Sequence, residues 1–391
     1  MVNILEDQTM KIKFLLTIVG LPLLIAVFFT ACEGPDQPTY GPGNPDPNPT
    51  GLAPATLTAI NPTSGYLRET VTIKGRGFNT APEYNLVSFG NKVGTVISAT
   101  DTMLKVEAPN ITGETVKVKV AVKGSEFWSN ALDFVFKNAV NVVADDITWP
   151  MGVEADSAGN VYVGSAADEV IYKIAPDGTE SEFAALPING SIGWGPGNLL
   201  YACEQGEGKI VRISADGSTV EDYVTGLTAP IDFDWAENGN MYIVENDMGI
   251  TMYDGQSVTQ VATLANSPKC CRVFDNYLYV TEIWGGKIWR YEITADGLGT
   301  GEIVLEGDSP LGLEFDADGT MYYTEAWETS LYSVKPDGST ETLFEEQLMT
   351  PMHYLTYHGK MIYIVYPGWG DVGEVMSTYI GVEQAPNYGL K

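Results

Sequence analysis

Short runs of alternating apolar and polar residues, separated by Asp/Gly turns, fill the chain from Ile147 to its end. In the first clear unit, Gly152–Ala155 reads as a strand and Asp156-Ser-Ala-Gly159 as a tight turn. A second strand follows at 160–164 and a third at 170–174; Pro176-Asp-Gly178 then turns the chain into a fourth, 181–184. The unit recurs from Pro230 and from Pro310, with weaker copies starting at Asn189, Pro268 and Pro351. The tyrosine of each second strand (Tyr162, Tyr201, Tyr242, Tyr279, Tyr322 and Tyr363) marks a period of about forty residues. Four short strands at that period predict a β-propeller, and the six markers predict six blades. One blade cannot bury both faces alone, so the ring must close. After Tyr363 the chain holds about one further strand, 374–382, so 138–146 is expected to supply the outer strand of the last blade.

Upstream, 55–137 shows short alternating strands and no helical periodicity, as in a β-sandwich. Ile60-Asn-Pro-Thr-Ser-Gly65, Val71-Thr-Ile-Lys-Gly-Arg-Gly-Phe78, Val87-Ser-Phe-Gly90 and Phe134-Val-Phe136 resemble the IPT/TIG domain, an immunoglobulin-like sandwich in which Phe78 would plug the core. No catalytic grouping stands out there, so a spacer or docking role is expected. Residues 32–54 are rich in Pro, Gly, Asn and Asp and read as an extended tether. Residues 1–31 read as a secretory signal: Lys11 and Lys13 precede the apolar run Phe14–Phe29, and Met10 is a plausible start. Phe29-Thr-Ala-Cys32 resembles a bacterial lipobox, with Phe in place of the usual Leu, which implies lipidation of Cys32 and attachment to a membrane. Glu33 and Asp36 directly after it resemble the acidic tether of lipoproteins displayed on the outer membrane of glycan-degrading bacteria.

Charge narrows the partners. Lys and Arg number 21 against 51 Asp and Glu, a formal net charge of −30. Such a field argues against nucleic acid and against adsorption to anionic lipid, and favours a solvated acidic surface, cationic ligands or divalent metals. Besides Cys32 the cysteines are Cys203, Cys270 and Cys271. The adjacent Cys270 and Cys271 are either a vicinal disulfide or two reduced, space-filling thiols. No Cys/His spacing suits zinc.

The repeats allow positional reasoning about chemistry. Three residues past the markers stand Ser165, Glu204, Glu245, Glu282, Glu325 and Tyr366. The four carboxylates either hold a cation such as Ca²⁺ or cap turns by accepting backbone N–H groups. Just beyond lie Trp284, Trp327 and Trp369, in turns where core packing explains them poorly. With Tyr366 and Trp149 they are expected to form flat faces at one channel mouth, on which a sugar ring stacks. Asp232 and His353 occupy inner-strand starts where glycine is otherwise common, and Arg272 follows the cysteine pair; such a set could bind an anion or act as acid and base.

Pro150-x-Gly-Val-x-x-Asp-x-x-Gly-Asn-Val-Tyr-Val163 resembles the NHL-type propellers, a superfamily that includes gluconolactonase-like calcium enzymes and streptogramin B lyases. Glu154 and Asn246 match the lactonase metal set without its surrounding motifs, and His353 with Glu282 or Glu325 resembles the lyase pair only in residue type. The expectation is an exported, lipid-anchored protein with an IPT/TIG spacer and an NHL-like propeller, 138–391, whose mouth binds a glycan or an envelope protein. A metal-dependent hydrolase or lyase and a non-catalytic scaffold of an outer-membrane complex are the alternatives.

Overall fold

The computed structural model describes residue 46 and residues 48–350, 354–368 and 372–390. They form a β-sandwich followed by a six-bladed propeller. In the sandwich, the strands Thr56–Asn61, Thr70–Arg76, Lys92–Ala99 and Met103–Glu107 face Asn85–Phe89, Thr115–Val122 and Leu132–Phe136. Their inward positions alternate into one core containing Val71, Ile73, Phe89, Leu104, Phe134 and Phe136. Phe78 is buried in that core and lies against Gly75, where a Cβ would stand 2.6 Å from its ring. The end of the Pro/Gly-rich tract is not a free spacer: Asp46 Oδ2 accepts the Gly124 N–H at 2.6 Å, and the Thr50 and Leu52 N–H groups bond the Gly124 carbonyl.

Each propeller blade is an antiparallel sheet whose inner strand lines the channel; five have four strands, and the fourth blade adds the short strand Gly297–Leu298. The inner strands are Pro150–Ala155, Ile192–Gly195, Pro230–Trp235, Pro268–Phe274, Pro310–Phe315 and Leu355–His358. Marker tyrosines Tyr162, Tyr201, Tyr242 and Tyr322 are buried between blades, where aromatic edges meet faces: Tyr162 stands 5.3 Å from Trp194 and Tyr201 5.0 Å from Trp235. Asp156 and Asp316 close their turns by accepting the Tyr162 and Tyr322 hydroxyls at 3.0 and 2.9 Å.

In blades one, three, four and five the register of the inner strand slips just after its proline. This β-bulge re-aims the residues behind it. At Gly152 it requires φ of +65°, and a Cβ there would stand 2.7 Å from the Gly190 carbonyl. Thr281 and Thr324 take up the freed backbone groups, their hydroxyls accepting the Cys270 and Gly312 N–H groups at 3.0 Å.

The ring closes as the sequence predicts. The outer strand of blade six is Val140–Thr148, paired antiparallel with Val372–Tyr379. The turn Tyr66–Glu69 fastens the sandwich to this closure. Leu67 is fully buried in a propeller cluster, Tyr66 stacks on Tyr379 at 4.2 Å, and Arg68 bonds Tyr322 Oη at 3.1 Å and Glu341 at 2.8 Å. Beyond Ile380 the chain crosses the far end of the channel. The Ala385 N–H bonds the Phe315 carbonyl at 3.0 Å, and Gly389 packs on Trp235.

Candidate functional site

The connections that enter the inner strands and those that leave the second strands share one face of the ring. On that face an apolar pocket of about 260 Å³ opens over the channel. Its floor comes from the bulged strand starts, Met151, Ile231, Cys270 and Leu311, and its walls are Trp284 and Trp327. Trp284 is 68% exposed and Trp327 50%, large apolar areas left in water beside a cavity. Trp149, with φ of +44°, is exposed on the same kind of connection. The pocket's polar lining includes Asn189, Gln205, Lys269 and the phenol-bearing Tyr354.

The glutamates expected to ring this face act instead as brackets. Glu282 accepts the Asn266 N–H and side-chain amide at 3.2 and 3.1 Å and the Trp289 indole N–H at 2.9 Å. Glu325 accepts the Ser309 N–H, Glu245 the Thr228 N–H and the Thr251 hydroxyl, and Glu204 pairs with Lys209 at 3.2 Å. Each carboxylate is buried and ties the incoming loop, or the next strand, to its own blade. The two brackets at Glu282 and Glu325 fix the loops that carry Trp284 and Trp327, two residues further on. These four carboxylates lie in separate blades, and among the described residues no three His, Cys, Asp or Glu side chains are grouped to hold a metal.

Other expected residues divide. Tyr366 is not at the mouth; it is 1% exposed within the cluster that includes Leu67, because the last residue of that second strand turns into the closing blade. Cys270 and Cys271 are not bonded to each other. Adjacent strand residues point to opposite sides, so the Cys270 thiol faces the Leu313 carbonyl and the Cys271 thiol the Tyr242 carbonyl. Burial pushes both thiols, and that of Cys203, well above the ordinary value, which leaves them unreactive. His353 and Trp369 lie outside the described residues, as does Cys32.

Asp232 and Arg272 do meet, but in the channel wall. The guanidinium bonds Asp232 at 2.9 Å, Glu314 at 2.6 Å and the Leu355 carbonyl at 3.1 Å. Asp232 and Asp234 in turn accept the Cys271 and Val273 N–H groups at 2.8 and 2.7 Å, and Glu154 accepts the Thr356 hydroxyl at 3.1 Å. Burial pushes Glu154 and Glu314 up to about 7 and Asp234 up to about 6; Arg272 pulls each of them back. Burial also opposes the charge on Arg272, yet the carboxylates of Glu314, Asp232 and Asp234 hold its pKa well above the ordinary value. One guanidinium ties carboxylates of neighbouring blades together under the C-terminal segment, so the group braces the ring.

Glu154, Asp234 and Glu314 carry a signal in the sequence that residue type conceals. In the sheets each pairs directly with a marker tyrosine, as do Gly193, Arg272 and Thr356. Reading the partner of each marker therefore yields the channel ring.

Residues 55–136 match the IPT/TIG domain family. Over 166 aligned residues the chain is 28% identical to a cyclomaltodextrin glucanotransferase of Thermoanaerobacterium thermosulfurigenes, covering 36% of this chain and 23% of that enzyme. Less than a quarter of that relative is thus represented. Among solved structures, an auxiliary nutrient binding protein from Bacteroides thetaiotaomicron is similar over 85% of this chain and 98% of its own, with TM-score 0.50 and 13% identity. A gluconolactonase from Xanthomonas campestris is similar over 61% of this chain and 89% of its own, with TM-score 0.54 and 16% identity. At these identities the likeness is one of fold.

Proposed function

We propose that this protein is a binding protein of the cell envelope, tethered to the outer membrane through lipid on Cys32, whose propeller mouth takes a glycan. The observation that carries the reading is the pair Trp284 and Trp327, exposed on either side of an apolar pocket and held by buried glutamate brackets. Exposed indoles cost free energy in water, and sugar rings offer apolar C–H faces that stack on them while their hydroxyls meet polar groups at the rim. Asn189 and Gln205 supply such groups. The concave mouth favours a small ring over a protein surface, which would need a broader patch. The name of the Bacteroides neighbour, an auxiliary nutrient binding protein, agrees with a binding role. The IPT/TIG domain, packed against the ring through Leu67 and Arg68, serves as a rigid stand-off.

The test is tryptophan fluorescence of residues 40–391 titrated with neutral and acidic oligosaccharides. A saturable shift is expected, weakened at least about 10-fold in Trp327→Ala, as for loss of one aromatic platform. A flat response to every glycan from the folded protein would sink the reading.

A further inference from the structure

We propose that the mouth selects a sugar ring bearing an anionic substituent, a carboxylate or a sulfate, with Lys269 as the counter-charge. This rests on the glycan reading above and adds the class of ligand. Lys269 lies on the bulged start of Pro268–Phe274, between the proline and the Cys270 that backs the pocket floor. Its side chain is half-buried. Nζ donates to Asn246 Oδ1 at 3.1 Å, and among the described residues no carboxylate lies within ion-pair distance of it. Lys209, by contrast, holds two acids, Glu204 and Asp222.

The described lining of the pocket contains no Asp, Glu or Arg, so Lys269 is its one charged side chain among the described residues. Burial lowers its pKa from the ordinary lysine value, with only the charge of Asp247 pulling the other way. A half-desolvated ammonium without an ion partner is costly, and an incoming anion offsets that cost through a charge-assisted hydrogen bond. A neutral sugar offers no such compensation. The nearby indoles leave the ring stacked, while Nζ meets the charge at its edge.

Titration of the full-length chain with glucose, glucuronate and glucose 6-sulfate at one ionic strength tests this. Glucuronate, glucose 6-sulfate or both should bind about 10-fold or more tightly than glucose, and which one does identifies the anionic group. In Lys269→Met the preference should fall below about 3-fold, while Lys269→Arg should keep it. Matched thermal unfolding of the variants guards against misfolding. Equal affinities for all three sugars, each weakened by Trp327→Ala, would overturn the anion assignment and leave the mouth reading standing. A preference that survives Lys269→Met would overturn the role of Lys269. No saturation with any of the three would overturn both.

Discussion

A carboxyl that the fold prefers to keep neutral makes stability depend on pH in a direction opposite to that of most surface acids. Glu154 is raised to about 7 from 4.5, chiefly by burial. The stability its neutral form contributes is complete below about pH 4.5 and is lost as pH rises through about 7. Glu154→Gln keeps an acceptor for the Ala155 N–H and the Thr356 hydroxyl. Relative to wild type it should therefore gain about 1–3 kcal/mol at pH 8 and little at pH 4, measured by urea unfolding at both values. A variant weaker than wild type at pH 8 would show instead that the charge of Glu154 is wanted beside Arg272. The same scale explains why the channel ring was hidden from composition. Glu154, Gly193, Asp234, Arg272, Glu314 and Thr356 share a structural position but no chemistry. The glutamate series Glu204, Glu245, Glu282 and Glu325, by contrast, is uniform because each performs the same bracing task in its blade.

At the scale of elements, the strands and turns were legible because local chemistry dictates them: Asp-Gly turns and a tyrosine in every second strand recur at fixed intervals. The burial of Tyr366 was not, since it depends on the irregular stretch around Leu348 and Met349, which follows no repeat pattern. Nor was the C-terminal segment, which follows the last repeat without a pattern of its own. Its backbone bonds the Phe315 and Gly359 carbonyls, and the Asn387 side chain reaches the Trp194 carbonyl at 3.5 Å. Ending the chain at Ile380 should cost about 2–4 kcal/mol, lower the melting temperature by several degrees and shift tryptophan emission to the red as Trp235 meets water. Unchanged melting and emission would mean that the segment rests on the ring without bracing it. Glu282→Ala should loosen the loop before Pro268, cost about 1–3 kcal/mol and weaken glycan binding through Trp284, read by denaturant unfolding and by titration. Wild-type stability and affinity in this variant would remove the bracket from the account.

For the whole molecule, the sandwich and the ring share buried surface, and their unfolding should be coupled. Arg68 is the polar hinge of that contact, its guanidinium reaching Tyr322 and Glu341 while its side chain stays 17% exposed. Arg68→Ala should cost about 1–3 kcal/mol and split one calorimetric transition into two. A single transition at an unchanged temperature would show that Leu67 and Tyr66 suffice.

The pairing of Val140–Thr148 with Val372–Tyr379 also sets a clock. The first strand leaves the ribosome before any blade, and its partner leaves after all of them. At about 5–20 residues per second the early strand waits on the order of tens of seconds with an open edge. Asp145 and Asp146 near its end, and the exposed Val142, are what a neighbouring chain would meet during that interval. Like charges repel, so the acidic pair is expected to disfavour the docking of a second, equally acidic copy on that edge.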